Sequence, residues 1–161
     1  MKDRLRETIF NLLGPDIRGM HALDLFAGTG AIGLEALSRG AAKATFIERH
    51  FPTAKVIEKN IATLGVEAVC EVVASDTFFW DRQETDLGAE PWVIFCSPPY
   101  DFYVERPRDM LKLIERLIAR APKGSIVVVE SDGRFDPETL PQADAWLQRS
   151  YPPALLGVLR M

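Results

Sequence analysis

The tetrapeptide Ser97-Pro98-Pro99-Tyr100 combines rigid backbone, free acceptors and an aromatic ring. Consecutive prolines fix φ and delete two N–H donors, leaving their carbonyls to accept. That suits work on the exocyclic amine of a nucleobase. Such an amine has its lone pair delocalised into the ring, and it attacks a methyl group only when turned out of that conjugation. The Ser97 oxygen and the Pro98 carbonyl, each accepting one N–H proton, would turn it, and Tyr100 would offer a face on which the base stacks. Neither a metal nor a covalent nucleophile is needed, because holding nitrogen, methyl and sulfur in line supplies much of the rate. The competing reading is a Pro-Pro turn with a packed tyrosine.

A second group lies near the start of the chain. Asp24-Leu-Phe-Ala-Gly-Thr-Gly30 reads as a strand end, a glycine turn and a helix start, with Gly28 and Gly30 tolerating positive φ. The helix beyond offers free N–H groups. With Gly33 the glycines satisfy G-x-G-x-x-G, the dinucleotide fingerprint. Asp24 speaks against a dinucleotide, since a carboxylate in that turn would repel a pyrophosphate and suits a cationic ligand. Glu48 stands where a strand-end acid accepts ribose hydroxyls, and Asp76 where one would accept from an adenine amine. Singly, each is more simply an exposed strand-end acid. Together they describe a cation, an amino-acid part and an adenosine, which is S-adenosyl-L-methionine.

The elements that must position these groups follow from periodicity. Leu5, Ile9, Leu12 and Leu13 recur at helical spacing over 3–13, with Phe10 alongside, Asp3 as cap and Gly14-Pro15 as stop. Strands are expected over 22–26, 44–47, 68–73, 92–96 and 125–130, the last a β-branched run that suits a central strand. Helices are expected over 31–39, from Pro52 to Gly65, around Phe78-Phe79-Trp80, and over 107–120, with 81–91 a polar loop. Residues 146–151 and 155–160 read as two more strands, although Pro152-Pro153 between them is unusual in a sheet. The alternation implies one α/β domain spanning 1–161, with right-handed crossovers and ligands at the carboxyl ends of the strands. Every candidate residue lies at such an end.

The chain has 161 residues, 47% hydrophobic and 26% charged, enough for one domain with a real core. Cys70 and Cys96 fall in apolar runs, which predicts buried thiols and a reducing compartment. No apolar run approaches the ~20 residues that span a bilayer, and Met-Lys-Asp-Arg-Leu-Arg-Glu carries no secretory signal. A cytoplasmic protein without a membrane partner is expected, a monomer by default, with no metal. The net charge of −4 argues weakly against nucleic acid. Its distribution matters more: Lys2, Arg4, Arg6 and Arg18 cluster early, while 81–90 is acidic, so one side could meet a polyanion. A solvated helix face is the alternative.

At these residues the chain resembles the class I S-adenosylmethionine-dependent methyltransferases. Asp24 to Gly30 is similar to that superfamily's first motif, and Ser97 to Tyr100 to the (Asp/Asn/Ser)-Pro-Pro-(Tyr/Phe) motif of its amino-methylating branch. More narrowly, Asp3–Leu13 and Leu23–Ala42 resemble the RsmD-type family, which methylates the N2 of a guanine in small-subunit (16S) ribosomal RNA. The resemblance implies a Rossmann-like, mostly parallel seven-stranded sheet with helices on both faces and an antiparallel C-terminal strand. It implies that Asp24, Phe26, Gly28 and Gly30, with Ala27 and Thr29 between them, hold the methionine end of the cofactor. Glu48 would take the ribose, Arg49 would lie near the adenine and Asp76 would hold its amine. Ser97, Pro98, Pro99 and Tyr100 would form the target-base site. Arg4, Arg6 and Asn11 would support the substrate side or the structure, though Arg6 could simply pair with Glu7. The partner would be ribosomal RNA or the small ribosomal subunit, with the target base looped or flipped out.

Two departures from the family pattern stand out. The family usually has Asp or Asn where this chain has Ser97, whose single short oxygen reaches less far. It also tends to carry a basic β-hairpin ahead of the first helix, and here the sequence starts just before that helix, so this RNA-gripping element is either missing or cut off. Three other readings remain open: an adenine-N6 or cytosine-N4 nucleic-acid methyltransferase, a non-catalytic binder of S-adenosylmethionine or RNA, and a nicotinamide-dependent oxidoreductase. The Asp3–Leu13 helix favours the ribosomal family over the first, and the last leaves Asp24 and the Pro-Pro turn without a role.

Overall fold

A computed structural model describes residues 2–161. Its strands are β1 (His21–Asp24), β2 (Lys43–Ile47), β3 (Cys70–Val73), β4 (Trp92–Cys96), β5 (Ile126–Asp132), β6 (Leu147–Tyr151) and β7 (Ala154–Arg160). Its helices are α1 (Asp3–Leu13), α2 (Ala31–Ser38), α3 (Phe51–Leu64), α4 (Thr77–Arg82), α5 (Phe102–Glu105) and α6 (Pro107–Arg120). One sheet runs β3-β2-β1-β4-β5-β7-β6. Strands β1 to β5 pair in parallel, and β7 lies antiparallel between β5 and β6.

Alternation within the buried strands sorts side chains onto two cores. On β4, Val93 and Phe95 join the core under α1, α2 and α3, with Phe10, Ile32, Phe46 and Ile57. Ile94 and Cys96 join the opposite one under α4 and α6, with Trp80, Met110, Ile114 and Leu117. Helices therefore cover both faces. The chain leaves β1 toward β2 on one side, and from β3 crosses back to β4 on the other. This reversal opens a crevice above the carboxyl ends of β1 and β4, where α/β sheets hold their ligands.

Several sequence expectations change in detail. Asp3 does not cap α1: Lys2 occupies the cap position and makes no side-chain bond there. Asp3 instead sits in the first turn, where a carboxylate meets the positive end of the helix dipole, and pairs with Arg6 at 3.1 Å. The sequence pattern gives no sign of α5, a single turn that Asp101 precedes at the cap position, just beyond Tyr100. The acidic run 81–90 is not all surface, because Asp81 ends up 3% exposed and pairs with Arg116 of α6 at 2.8 Å. Cys96 is fully buried and Cys70 half-buried, both as free thiols. Among the described residues no helix is long and apolar enough to cross a membrane.

Candidate active site

The crevice is a cleft of about 750 Å³, lined from the ends of β1, β2, β4 and β5, from α1, α4 and α5, and from the β6–β7 turn. Its floor at β1 is a glycine turn. Gly28 has φ 57° and Gly30 φ 86°, the left-handed region that side chains other than glycine seldom enter. Gly28 donates its amide to Glu48 Oε1 at 2.9 Å, and the amide of His50 donates to Glu48 Oε2 at 2.9 Å. One carboxylate thus braces the turn and lines the cleft. A Cβ at Gly28 would meet nothing within 4 Å, so there is open room beside that backbone.

Of the residues proposed for the cofactor, Phe26, Gly28, Glu48, Arg49 and Asp76 line the cleft, while Asp24, Ala27, Thr29 and Gly30 do not. Asp24 is 2% exposed and accepts the amide of Gly33 at 3.1 Å. It acts from beneath, tying the first turn of α2 to β1. Burial, with Glu48 adding to it, pushes its carboxyl up to about 7. Ala27 donates to the Ile47 carbonyl at 3.0 Å and accepts from Gly30 at 2.8 Å. Thr29 is exposed, and its carbonyl accepts from Asn60 at 3.0 Å. Asp76 lines the cleft and also caps α4, accepting from the Phe79 amide at 3.0 Å. Thr77 beside it donates to the Leu25 carbonyl, fastening α4 to the end of β1.

Ser97, Pro98, Pro99 and Tyr100 all line the cleft. Among the described residues, the buried Ser97 Oγ has no hydrogen-bond partner. Among the described residues the Pro98 carbonyl accepts no hydrogen bond either, whereas the Pro99 carbonyl accepts from Phe102 at 3.0 Å as α5 begins. Two neighbouring acceptors are therefore left without a hydrogen bond, among the described residues, in the turn that lines the cleft. The phenol of Tyr100 donates to the carboxylate of Glu130; burial first, then this hydrogen bond and the carboxylate's charge, raise the phenol pKa and keep it protonated as a donor.

The tertiary fold adds residues that the sequence reading missed. Glu130, in β5 two residues before its last, lines the cleft although only 4% exposed. Its only sequence signal is a lone acid closing the run Ile126-Val-Val-Val. Phe102 lines the cleft and packs edge-on against Phe26 with ring centres 5.8 Å apart. At the start of the chain the lining residues are Lys2, at the cap position of α1, and Leu5 within it, not Arg4, Arg6 or Asn11. Arg4 and Asn11 are exposed. Arg6 pairs with Glu35 of α2 at 2.9 Å rather than with Glu7, which marks it as a clamp between helices. Among the described residues no cluster of three His, Cys, Asp or Glu side chains could hold a metal.

Known proteins share this chain's pattern. The family described as conserved hypothetical protein 95 matches residues 1–151. The Bacillus subtilis protein named "Putative rRNA methyltransferase YlbH" is 32% identical over 161 residues, 97% of this chain and 83% of that protein. "Ribosomal RNA small subunit methyltransferase D" of Escherichia coli is 44% identical over 98 residues, 61% of this chain and 48% of that protein, so the match spans about half of it. Among solved structures, "Putative methyltransferase yhhF" from Escherichia coli superposes with a TM-score of 0.80 at 30% identity, over 99% of this chain and 86% of that one. An RNA methyltransferase from Salinibacter ruber, solved with S-adenosyl-L-homocysteine, shares the fold with a TM-score of 0.69 at 20% identity, over 99% of this chain and 92% of its own.

Proposed function

The chain belongs to the conserved hypothetical protein 95 family, and we propose that it transfers a methyl group from S-adenosyl-L-methionine to the N2 amine of a guanine in small-subunit ribosomal RNA. The observation that carries this reading is a pair of acceptors, Ser97 Oγ and the Pro98 carbonyl, that have no hydrogen-bond partner among the described residues and belong to a turn lining the cleft. The relatives named as rRNA methyltransferases support the substrate class.

When bound, the cofactor supplies a methyl group on a cationic sulfonium. The residues around the cleft fit its other parts. Glu48 spends one lone pair of each oxygen on the backbone and keeps others for the ribose hydroxyls. Asp76 uses one oxygen as a helix cap and has the second for the adenine amine, with Arg49 beside it. Phe26 walls the methionine end over Gly28, and Asp24 holds the turn from below. On the substrate side, Tyr100 stacks the extruded base. Ser97 Oγ and the Pro98 carbonyl accept the two N2 protons and so turn the nitrogen lone pair toward the methyl carbon. As the N–C bond forms, the C–S bond breaks and its electron pair stays on sulfur. The nitrogen, now cationic, gives one proton to water. Catalysis is then mainly alignment, which can be worth ~7–11 kcal/mol of barrier.

The reaction would take place in the cytoplasm, where ribosomal subunits are assembled. The test is transfer of labelled methyl groups to undermodified small-subunit RNA or subunits, followed by nucleoside analysis. N2-methylguanosine is the expected product, with Pro98→Ala and Tyr100→Ala lowering the rate at least ~10-fold, about 1.4 kcal/mol of barrier. Unchanged rates in both variants would remove the target-base site from Ser97–Tyr100. Label on adenine N6 or cytosine N4 would move the substrate to another base. Calorimetry should find S-adenosylhomocysteine binding and no response to NADH.

A further inference from the structure

We propose that Glu130 reads the ring N–H of the target base and makes the site select guanine, an inference that rests on the guanine-N2 reading above. Cys96 and Val129 are the last register pair of the parallel strands β4 and β5, and Ser97 and Glu130 are the next residue of each chain segment. Both line the cleft at this point. The Glu130 side chain is 4% exposed and still lines the cleft, so the polar surface it has is turned inward. It is held firmly: one oxygen accepts from Tyr100, and its backbone carbonyl accepts from Tyr103 at 2.9 Å. Among the described residues the other oxygen accepts no hydrogen bond and the carboxylate joins no ion pair, so Tyr100 is its one side-chain partner and acceptor capacity is left over.

A guanine suits that remaining acceptor. Its N1–H and N2–H₂ donors point the same way along one edge. With Ser97 Oγ and the Pro98 carbonyl accepting the two amine protons, the third donor, N1–H, falls to the acceptor on the adjacent strand, Glu130. An ionised carboxylate only accepts. Adenine and cytosine carry an unprotonated ring nitrogen beside their amines, so an acceptor would face an acceptor, and a buried polar group left unmatched is what gives such sites their discrimination. Glu130 also supplies the carboxylate that this chain lacks at position 97. By anchoring the Tyr100 phenol, the same group sets the ring on which the base stacks.

The test compares guanosine with 2-aminopurine, which keeps the amine but has a bare N1, in a synthetic oligoribonucleotide spanning the methylated guanosine, located by sequence-specific nuclease mapping of the labelled RNA. Wild-type enzyme should methylate the guanosine oligonucleotide with kcat/KM at least ~100-fold above the 2-aminopurine one. In Glu130→Gln the amide oxygen can still accept from Tyr100 while the NH₂ donates to N1 of 2-aminopurine. The preference should narrow at least tenfold or invert, with S-adenosylhomocysteine affinity within threefold of wild type. Equal use of both bases by the wild type overturns the proposal without recourse to any variant, and so does a Glu130→Gln enzyme that keeps the wild-type preference. If wild-type protein labels no guanine in small-subunit RNA or subunits, the guanine-N2 reading itself fails and takes this one with it.

Discussion

Gly28 donates its backbone amide to the side chain of Glu48 at 2.9 Å, joining the glycine turn after β1 to the end of β2. The second Glu48 oxygen is engaged by the His50 amide at the same distance. A carboxylate held by two amides is already oriented before any ligand arrives, which reduces the ordering cost of binding. Glu48→Ala should therefore weaken S-adenosylhomocysteine by more than tenfold in calorimetry. Loosening the turn should also lower stability by about 1–2 kcal/mol in urea unfolding. Glu48→Gln, which keeps one acceptor for Gly28, should fall between.

Ser97 separates stability from activity. Its buried hydroxyl has no partner among the described residues, and an unmatched buried hydroxyl costs folding free energy. Ser97→Ala should leave the thermal midpoint unchanged or raise it. The same variant should lose about 10- to 100-fold in methyl transfer, because the amine keeps only the Pro98 carbonyl to turn it. Parallel thermal melts and single-turnover assays decide this; a matching fall in both would assign Ser97 to the fold rather than to the reaction.

Asp24 gives the protein a pH signature. Its carboxyl is pushed up to about 7, first by burial and then by Glu48, from an ordinary 3.8. Between those values the folded chain holds a proton that the unfolded chain has released. Stability is fullest at the acid end of this window, falls as the pH rises through it, and levels off above the folded value. Asp24→Asn keeps an oxygen for the Gly33 amide and removes the titration. Its thermal midpoint should be flatter than wild type across this window and higher than wild type at pH ~8. Asp24→Ala leaves the Gly33 amide without its acceptor, so it should cost both folding, by about 1–3 kcal/mol, and cofactor binding.

Gly33 completes the literal dinucleotide fingerprint, yet it does not line the cleft. A Cβ there would drive into the ring of Phe46, which is wholly buried on β2. Gly33→Ala should destabilise by about 1–3 kcal/mol in chemical unfolding. Trimming the ring with Phe46→Leu in the same chain should recover part of that loss, with S-adenosylhomocysteine affinity largely kept whenever the protein is folded.

Local chemistry was legible in the sequence because it depends on neighbours along the chain. Periodicity located α1 at Asp3–Leu13, β4 at Trp92–Cys96 and α6 at Pro107–Arg120. The positive φ of Gly28 and Gly30 and the rigid Ser97–Tyr100 turn likewise follow from residue type. Strand alternation placed Glu48, Asp76 and Ser97 at one end of a sheet, and all three line one cleft. What the sequence could not carry is which side chain sinks and which partner it finds. Asp24 lies beneath the turn rather than in the cleft, Arg6 meets Glu35 instead of Glu7, and Asp81 is drawn inside against Arg116. Tyr100 and Glu130 are thirty residues apart and become neighbours only because β4 and β5 pair in parallel. Burial and pairing at such distances are set by the order of strands and the depth of each side chain in the layers, and neither quantity has a period in the sequence.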